Sequence, residues 1–201
     1  MIRNLGKSMK KAKGKFKTIK FNFNAQKAVQ VILWVASKAP NKKIDIYKIL
    51  KTLFEADVYH LNKYGRLICG DSYKALKFGT VPDDTYEILK GEPLAIEEAV
   101  PVSNEPPYLK FDGYMIEAKK SPNLELLSES DVEALDHGWD ICKDLTFEQM
   151  KNMTHKHPAY QNAWNNRGLI NNPPINLADF FEDKNNQNIE ELVKYSRFAR
   201  I

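Results

Sequence analysis

The stretch KKIDIYKILKTLFEADVYHLNKYG, Lys42 to Gly65, decides how this chain folds. Ile46, Leu50, Leu53, Phe54 and Leu61 recur at helical spacing and make one apolar stripe. Asn41 offers a cap at the start, and Gly65 offers a left-handed stop at the end. The pattern predicts a helix from Lys42 to Tyr64, about 35 Å long, which is enough to span a domain.

Upstream, Ile19, Phe21 and Phe23 alternate with Lys20 and Asn22, the period-2 signal of a short strand. Asn24 can cap a helix running to about Lys38, ended by Pro40. Downstream, short strands are expected near Arg66–Cys69 and Tyr73–Phe78, broken at Gly70-Asp71 and punctuated by Gly79 and Pro82. A helix from about Asp83 to Lys90 stops at Gly91. Residues 92–107 hold four prolines and read as a loop. YLKFDGYMIEA, Tyr108 to Ala118, places alternating segments around Asp112-Gly113 and predicts a type I′ hairpin. Ser128 with Asp131, and Thr146 with Gln149, resemble capping boxes opening helices to about Lys143 and Thr154. Residues 165–176 form a polar loop, and a short helix is expected over 188–199. The expected fold is α+β and predominantly helical, with a long central helix and a small antiparallel sheet.

The chain has 201 residues, 43% apolar and 28% charged, which suits one soluble domain with its own core. The apolar run VQVILWVA, Val29 to Ala36, is far too short to cross a bilayer. Two cysteines, Cys69 and Cys142, are too few for a disulfide framework and read as reduced thiols of a cytoplasmic protein. The first 20 residues carry eight basic side chains and no acid, while the rest holds 22 basic against 26 acidic residues. The expected organisation is a basic tail, 1–17, followed by a single domain, 18–201.

Asp57, His60 and Tyr64 share one face of the long helix, and Asp71 follows in a turn that can fold back over it. One reading is an acid–base or zinc-binding set of Asp57, His60 and Asp71, with His155 or His157. The other is a hydrogen-bonded network that pins the helix to the strands, with Asp71 bonding backbone amides in its own turn. His155 and His157 otherwise read as a surface turn at a helix end. No phosphate-binding glycine loop, Gly-x-Ser-x-Gly elbow or zincin motif occurs. Trp34, Trp139 and Trp164 read as packing residues. The basic tail is a solvated tail, a segment that orders on a partner, or a weak, salt-sensitive phosphate contact. No helix-turn-helix is found, so specific nucleic-acid binding is not expected.

The segment Ile49 to Leu89 resembles the signature of the Panacea domain, the SocA-like antitoxin family common in bacterial mobile elements and prophages. The matching residues are Leu50, Ala56-Asp57, Tyr59-His60-Leu61, Tyr64-Gly65, Ile68, Gly70-Asp71, Tyr73, Ala75, Gly79, Val81-Pro82 and Tyr86. THKHPAYQNAW, Thr154 to Trp164, is similar to a second family segment. Thr80 departs from the usual Gly-Pro-Val, and His157 lies near a usual acidic position. The resemblance implies a mostly helical domain that neutralises a toxin encoded by the adjacent gene through direct contact. It also admits an adaptor that hands the toxin to a protease. A small Asp/His-dependent hydrolase or transferase is the remaining alternative. The expectation is a binding protein without catalytic residues, cofactor or metal. Its structural residues would be Asp57, His60, Tyr64, Gly70, Asp71, Tyr73, Gly79 and Pro82. Its toxin-binding surface would draw on Lys13, Lys15, Phe16, Lys17, Ile19, Lys20, Phe21, Arg66 and Lys77.

Overall fold

The computed structural model describes residues 19–100, 108–111 and 113–182. The basic tail and the helix expected over 188–199 lie outside the described residues. Helix α1 (Ala25–Lys38) starts where Asn24 accepts the Lys27 N–H. A single 3₁₀ turn and strand β1 (Lys43–Asp45) lead into α2 (Ile46–Tyr64). Then come β2 (Tyr73–Leu76), β3 (Gly79–Pro82), α3 (Asp83–Lys90) and α4 (Pro93–Ala99). Strands β4 (Tyr108–Phe111) and β5 (Met115–Ala118) precede α5 (Glu129–Cys142), α6 (Phe147–Lys156) and α7 (Pro158–Asn165). The protein is thus α+β and predominantly helical.

Helix α2 lies between two apolar clusters. Ile49, Leu50, Leu53 and Ala56 join the larger one with α1, α3 and α5. Phe54 and Leu61 join the smaller one, with Tyr73, Tyr160, Phe180 and Phe181. Gly138 lets α5 cross α2 closely, since a Cβ there would fall 2.3 Å from the Thr52 carbonyl oxygen. Of the tryptophans, Trp34 is buried while Trp139 and Trp164 are half-buried. One sheet has the order β1-β5-β4, and β2 pairs with β3 in the other. Residues 173–175 flank β2, with Ala75 donating to Pro173 and Ile175 donating to Tyr73.

Several local expectations are corrected. The long helix begins at Ile46 because Asp45, not Asn41, caps it, accepting the Tyr47 N–H at 2.6 Å. Asn41 is instead left-handed, at φ 55°. Residues 66–69 form no strand: the Ile68 N–H goes to the Asp57 carboxylate and the Cys69 carbonyl accepts the Asn24 N–H, so neither joins a ladder. Gly79 and Pro82 are the first and last residues of a second strand, β3, that was not expected. The proline-containing loop holds α4, because Pro93 occupies the first helical turn, where no N–H is needed. The pairing Phe111↔Met115 leaves three residues between the strands, so the hairpin is not a two-residue type I′ turn. Ile19, Phe21 and Phe23 alternate inward as expected, but no ladder makes them a strand.

Candidate functional site: a buried polar layer on the central helix

Asp57 and His60 stand one turn apart on α2, both fully buried. Gly65 ends the helix in a left-handed conformation, and the following loop folds back along it. The Asp57 carboxylate ties that loop down. Oδ1 accepts the Ile68 N–H at 2.7 Å, and Oδ2 accepts the Tyr73 hydroxyl at 2.6 Å. Burial pushes the Asp57 carboxyl up to about 6, against the pull of these two donors.

His60 takes different partners. Its Nδ1 lies 2.8 Å from the Arg66 carbonyl oxygen, which can only accept, so Nδ1 carries the proton in the neutral ring. Nε2 is then an acceptor, 3.2 Å from the Ser130 hydroxyl. Burial lowers the imidazole to about 4, assisted by the Arg66 charge and opposed by Asp131.

Asp131 is the hub that the sequence reading missed. It is fully buried and meets Lys27 Nζ at 2.6 Å and Arg66 Nη1 at 3.1 Å. It also accepts the Ser128 N–H at 2.8 Å, completing the α5 capping box. Burial alone would raise this carboxyl. The Lys27 hydrogen bond and the Lys27 and Arg66 charges outweigh it and hold the group below its ordinary value. Arg66 also donates to Ser128 and Ser130, so its guanidinium faces inward.

Asp71 closes on a third set. It accepts from the Asp84 and Thr85 N–H groups, both at 2.9 Å, and from the Thr85 hydroxyl at 2.6 Å. Helix α3 starts on Pro82, which has no capping side chain. Asp71 therefore supplies the cap from another segment. Gly70 permits this placement: φ is 72°, and a Cβ would lie 2.2 Å from the Asn22 carbonyl oxygen. Gly79, at φ 108°, likewise admits Thr154, whose Oγ1 would lie 2.1 Å from an added Cβ.

Asp57, His60 and Asp71 are therefore close in sequence yet bound to separate partners. Among the described residues, no three His, Cys, Asp or Glu side chains gather as a metal-binding set. His155 stacks on Tyr160, while His157 caps α7 by accepting the Ala159 N–H. Tyr64 faces outward, where its hydroxyl, that of Tyr59 and the Lys63 ammonium all donate to Glu133. These donors hold the Glu133 carboxyl at about 2.

A buried lysine with a half-buried glutamate one turn on was not anticipated. Lys51 is fully buried, donates to the Thr80 carbonyl oxygen at 2.5 Å and sits 4.7 Å above the Tyr47 ring. Burial lowers it to about 7 and raises Glu55, one turn on, to about 7. The only sequence signal was a lysine beside the apolar stripe. Of the surface residues expected to contact a partner, Ile19 and Phe21 are half-buried, while Lys20 and Lys77 are exposed. Lys13, Lys15, Phe16 and Lys17 lie outside the described residues.

The family model for the SocA-like antitoxin, Panacea domain, matches residues 49–161, more than half the chain. The chain belongs to this family. The Panacea match starts within α2 and ends within α7. It contains Asp57, His60, Asp71 and Asp131, but not Lys27. Searches of curated proteins and of solved structures each return no match. No described helix is long and apolar enough to cross a membrane.

Proposed function

We propose that this chain is the antitoxin of a bacterial or prophage toxin–antitoxin pair. It acts by binding a protein toxin, encoded by the adjacent gene, and covering that toxin's active site or substrate path. The observation that carries this reading is the Panacea domain match over residues 49–161. The geometry is compatible with it. The polar residues of the signature hold the helix, loop and strands together from inside, and the surface remains for a partner. In this reading the buried carboxylates and imidazole transform no substrate.

Co-expression tests the proposal. Cells carrying the adjacent gene should survive with this chain and die without it. Equal death in both cases removes the antitoxin reading. Immunoblotting of the toxin separates occlusion from delivery to a protease. Occlusion leaves the toxin level unchanged, whereas delivery lowers it and a protease-deficient strain restores it.

A further inference from the structure

The β2–β3 turn exposes an aromatic side chain that the fold does not use. Phe78 is 49% exposed, at the tip of the hairpin whose flanking pair is Leu76↔Gly79. Phe147, at the start of α6, is 42% exposed, and its ring lies 5.6 Å from that of Phe78. Tyr47, at the start of α2, packs 4.5 Å from Phe147. Three separate elements thus converge on one aromatic patch.

The backbone beneath the patch is held from two sides. The Tyr47 hydroxyl donates to the Phe78 carbonyl at 2.8 Å. The Tyr160 hydroxyl donates to the Leu76 carbonyl at 3.0 Å. A turn fixed in this way presents Phe78 in one position, which lowers the ordering cost of binding. Rigid aromatic anchors of this kind dominate interface energetics.

Charge indicates what covers the patch. The Lys77 ammonium lies over the Phe78 ring, is exposed, and pairs with no carboxylate among the described residues. Lys48 donates to the Lys143 carbonyl and pairs with no carboxylate among the described residues. Of the nearby acids, Glu148 is paired with Lys151, and Asp45 caps α2. Asp45 keeps its charge as a cap, so the rim is of mixed sign, with Lys77, Lys48 and Lys151 against Glu148 and Asp45 and a small positive excess. A second copy would bring the same small positive excess, and the lysine-rich first 20 residues have the wrong sign.

The geometry points to Phe78, Phe147 and Lys77 as the anchor of the partner interface, docking an apolar segment of the toxin that carries a carboxylate. This inference rests on the antitoxin reading and adds the surface to it.

The test uses the full chain and the tagged product of the adjacent gene. The variants are Phe78→Ser with Phe147→Ser, and separately Lys77→Glu. Leu94→Ser, an exposed leucine on α4, is the control. Both patch variants should weaken binding at least tenfold and reduce rescue of growth, with thermal midpoints near wild type. The control should stay within twofold. If the wild type rescues and the patch variants bind equally well, the surface is wrong and the antitoxin reading stands. If the wild type neither binds nor rescues, that reading fails and takes this one with it. A free-chain dimer that Phe78→Ser with Phe147→Ser converts to monomer would place a second copy on the patch and overturn the proposal.

Discussion

Asp71 caps a helix that it does not belong to: its carboxylate accepts the Thr85 N–H at 2.9 Å, across 14 residues of sequence. The interval between them holds a complete hairpin, β2 and β3. One side chain therefore fixes both the start of α3 and the fold-back of the chain that precedes it.

Replacing this carboxylate should unlatch the hairpin. Asp71→Ala leaves two helix N–H groups and the Thr85 hydroxyl without their acceptor, at a cost of about 2–4 kcal/mol. Asp71→Asn keeps one acceptor oxygen and should lose roughly half as much. Urea denaturation measures both. A loss below about 0.5 kcal/mol for Asp71→Ala would mean that water replaces the cap without penalty.

The Asp131 hub yields an asymmetric expectation. Asp131→Asn leaves the Lys27 and Arg66 cations facing each other beneath the surface, and should cost about 3–5 kcal/mol. Lys27→Met removes a single cation while Arg66 still pairs the carboxylate, so its loss should be smaller, about 1–2 kcal/mol. The double variant should lose less than the sum of the two, because the second substitution relieves part of what the first creates. Additive losses in a double-mutant cycle would show that the Lys27–Asp131 contact at 2.6 Å carries no coupling.

The fold is legible in the sequence wherever a local rule decides. Asn24, Ser128 and Thr146 cap as their side chains dictate, and Gly65 and Gly91 stop helices in left-handed geometry. The candidate site is legible only in part. Asp57, His60 and Asp71 stand out as chemistry-bearing, but their partners come from distant segments. Ser130 lies 70 residues from His60, and Asp131 already has a sufficient local reading as a capping-box residue. Lys27 and Lys51 sit among apolar residues, where spacing cannot distinguish a solvated stem from a buried charge. Asn41 failed as a cap because Asp45, four residues on, reaches the first turn of α2.

His60 and Asp57 act on stability with opposite signs over one pH window. The folded His60 value is about 4 against an ordinary 6.5. Between these values the unfolded chain binds the extra proton, so this contribution is full above 6.5 and is lost as pH falls toward 4. The folded Asp57 value is about 6 against an ordinary 3.8. Its contribution is full below 3.8 and is lost as pH rises toward 6. Asparagine at position 60 keeps a donor for the Arg66 carbonyl and cannot titrate. Relative to wild type, His60→Asn should gain about 3 kcal/mol as pH falls from 6.5 to 4. Asp57→Asn should gain a similar amount as pH rises from 4 to 6. Denaturant midpoints at several pH values read both slopes, and parallel curves for wild type and either variant would refute the corresponding assignment.

The Lys51–Glu55 pair shapes the neutral and alkaline side. Lys51 falls from 10.5 to about 7 on folding, so between these values the unfolded chain binds the proton that the folded chain lacks. Stability therefore rises with pH across that range, by about 5 kcal/mol. Glu55 rises from 4.5 to about 7, so its contribution declines as pH climbs to neutrality. Together they place a stability minimum near pH 7. Lys51→Met removes the alkaline limb. It also strips the donor from the Thr80 carbonyl, a pH-independent loss of about 1–2 kcal/mol. The variant should accordingly be more stable than wild type at pH 7 and less stable at pH 10. The crossing is the diagnostic result, because a lysine whose ammonium reached solvent would give the same difference at both pH values.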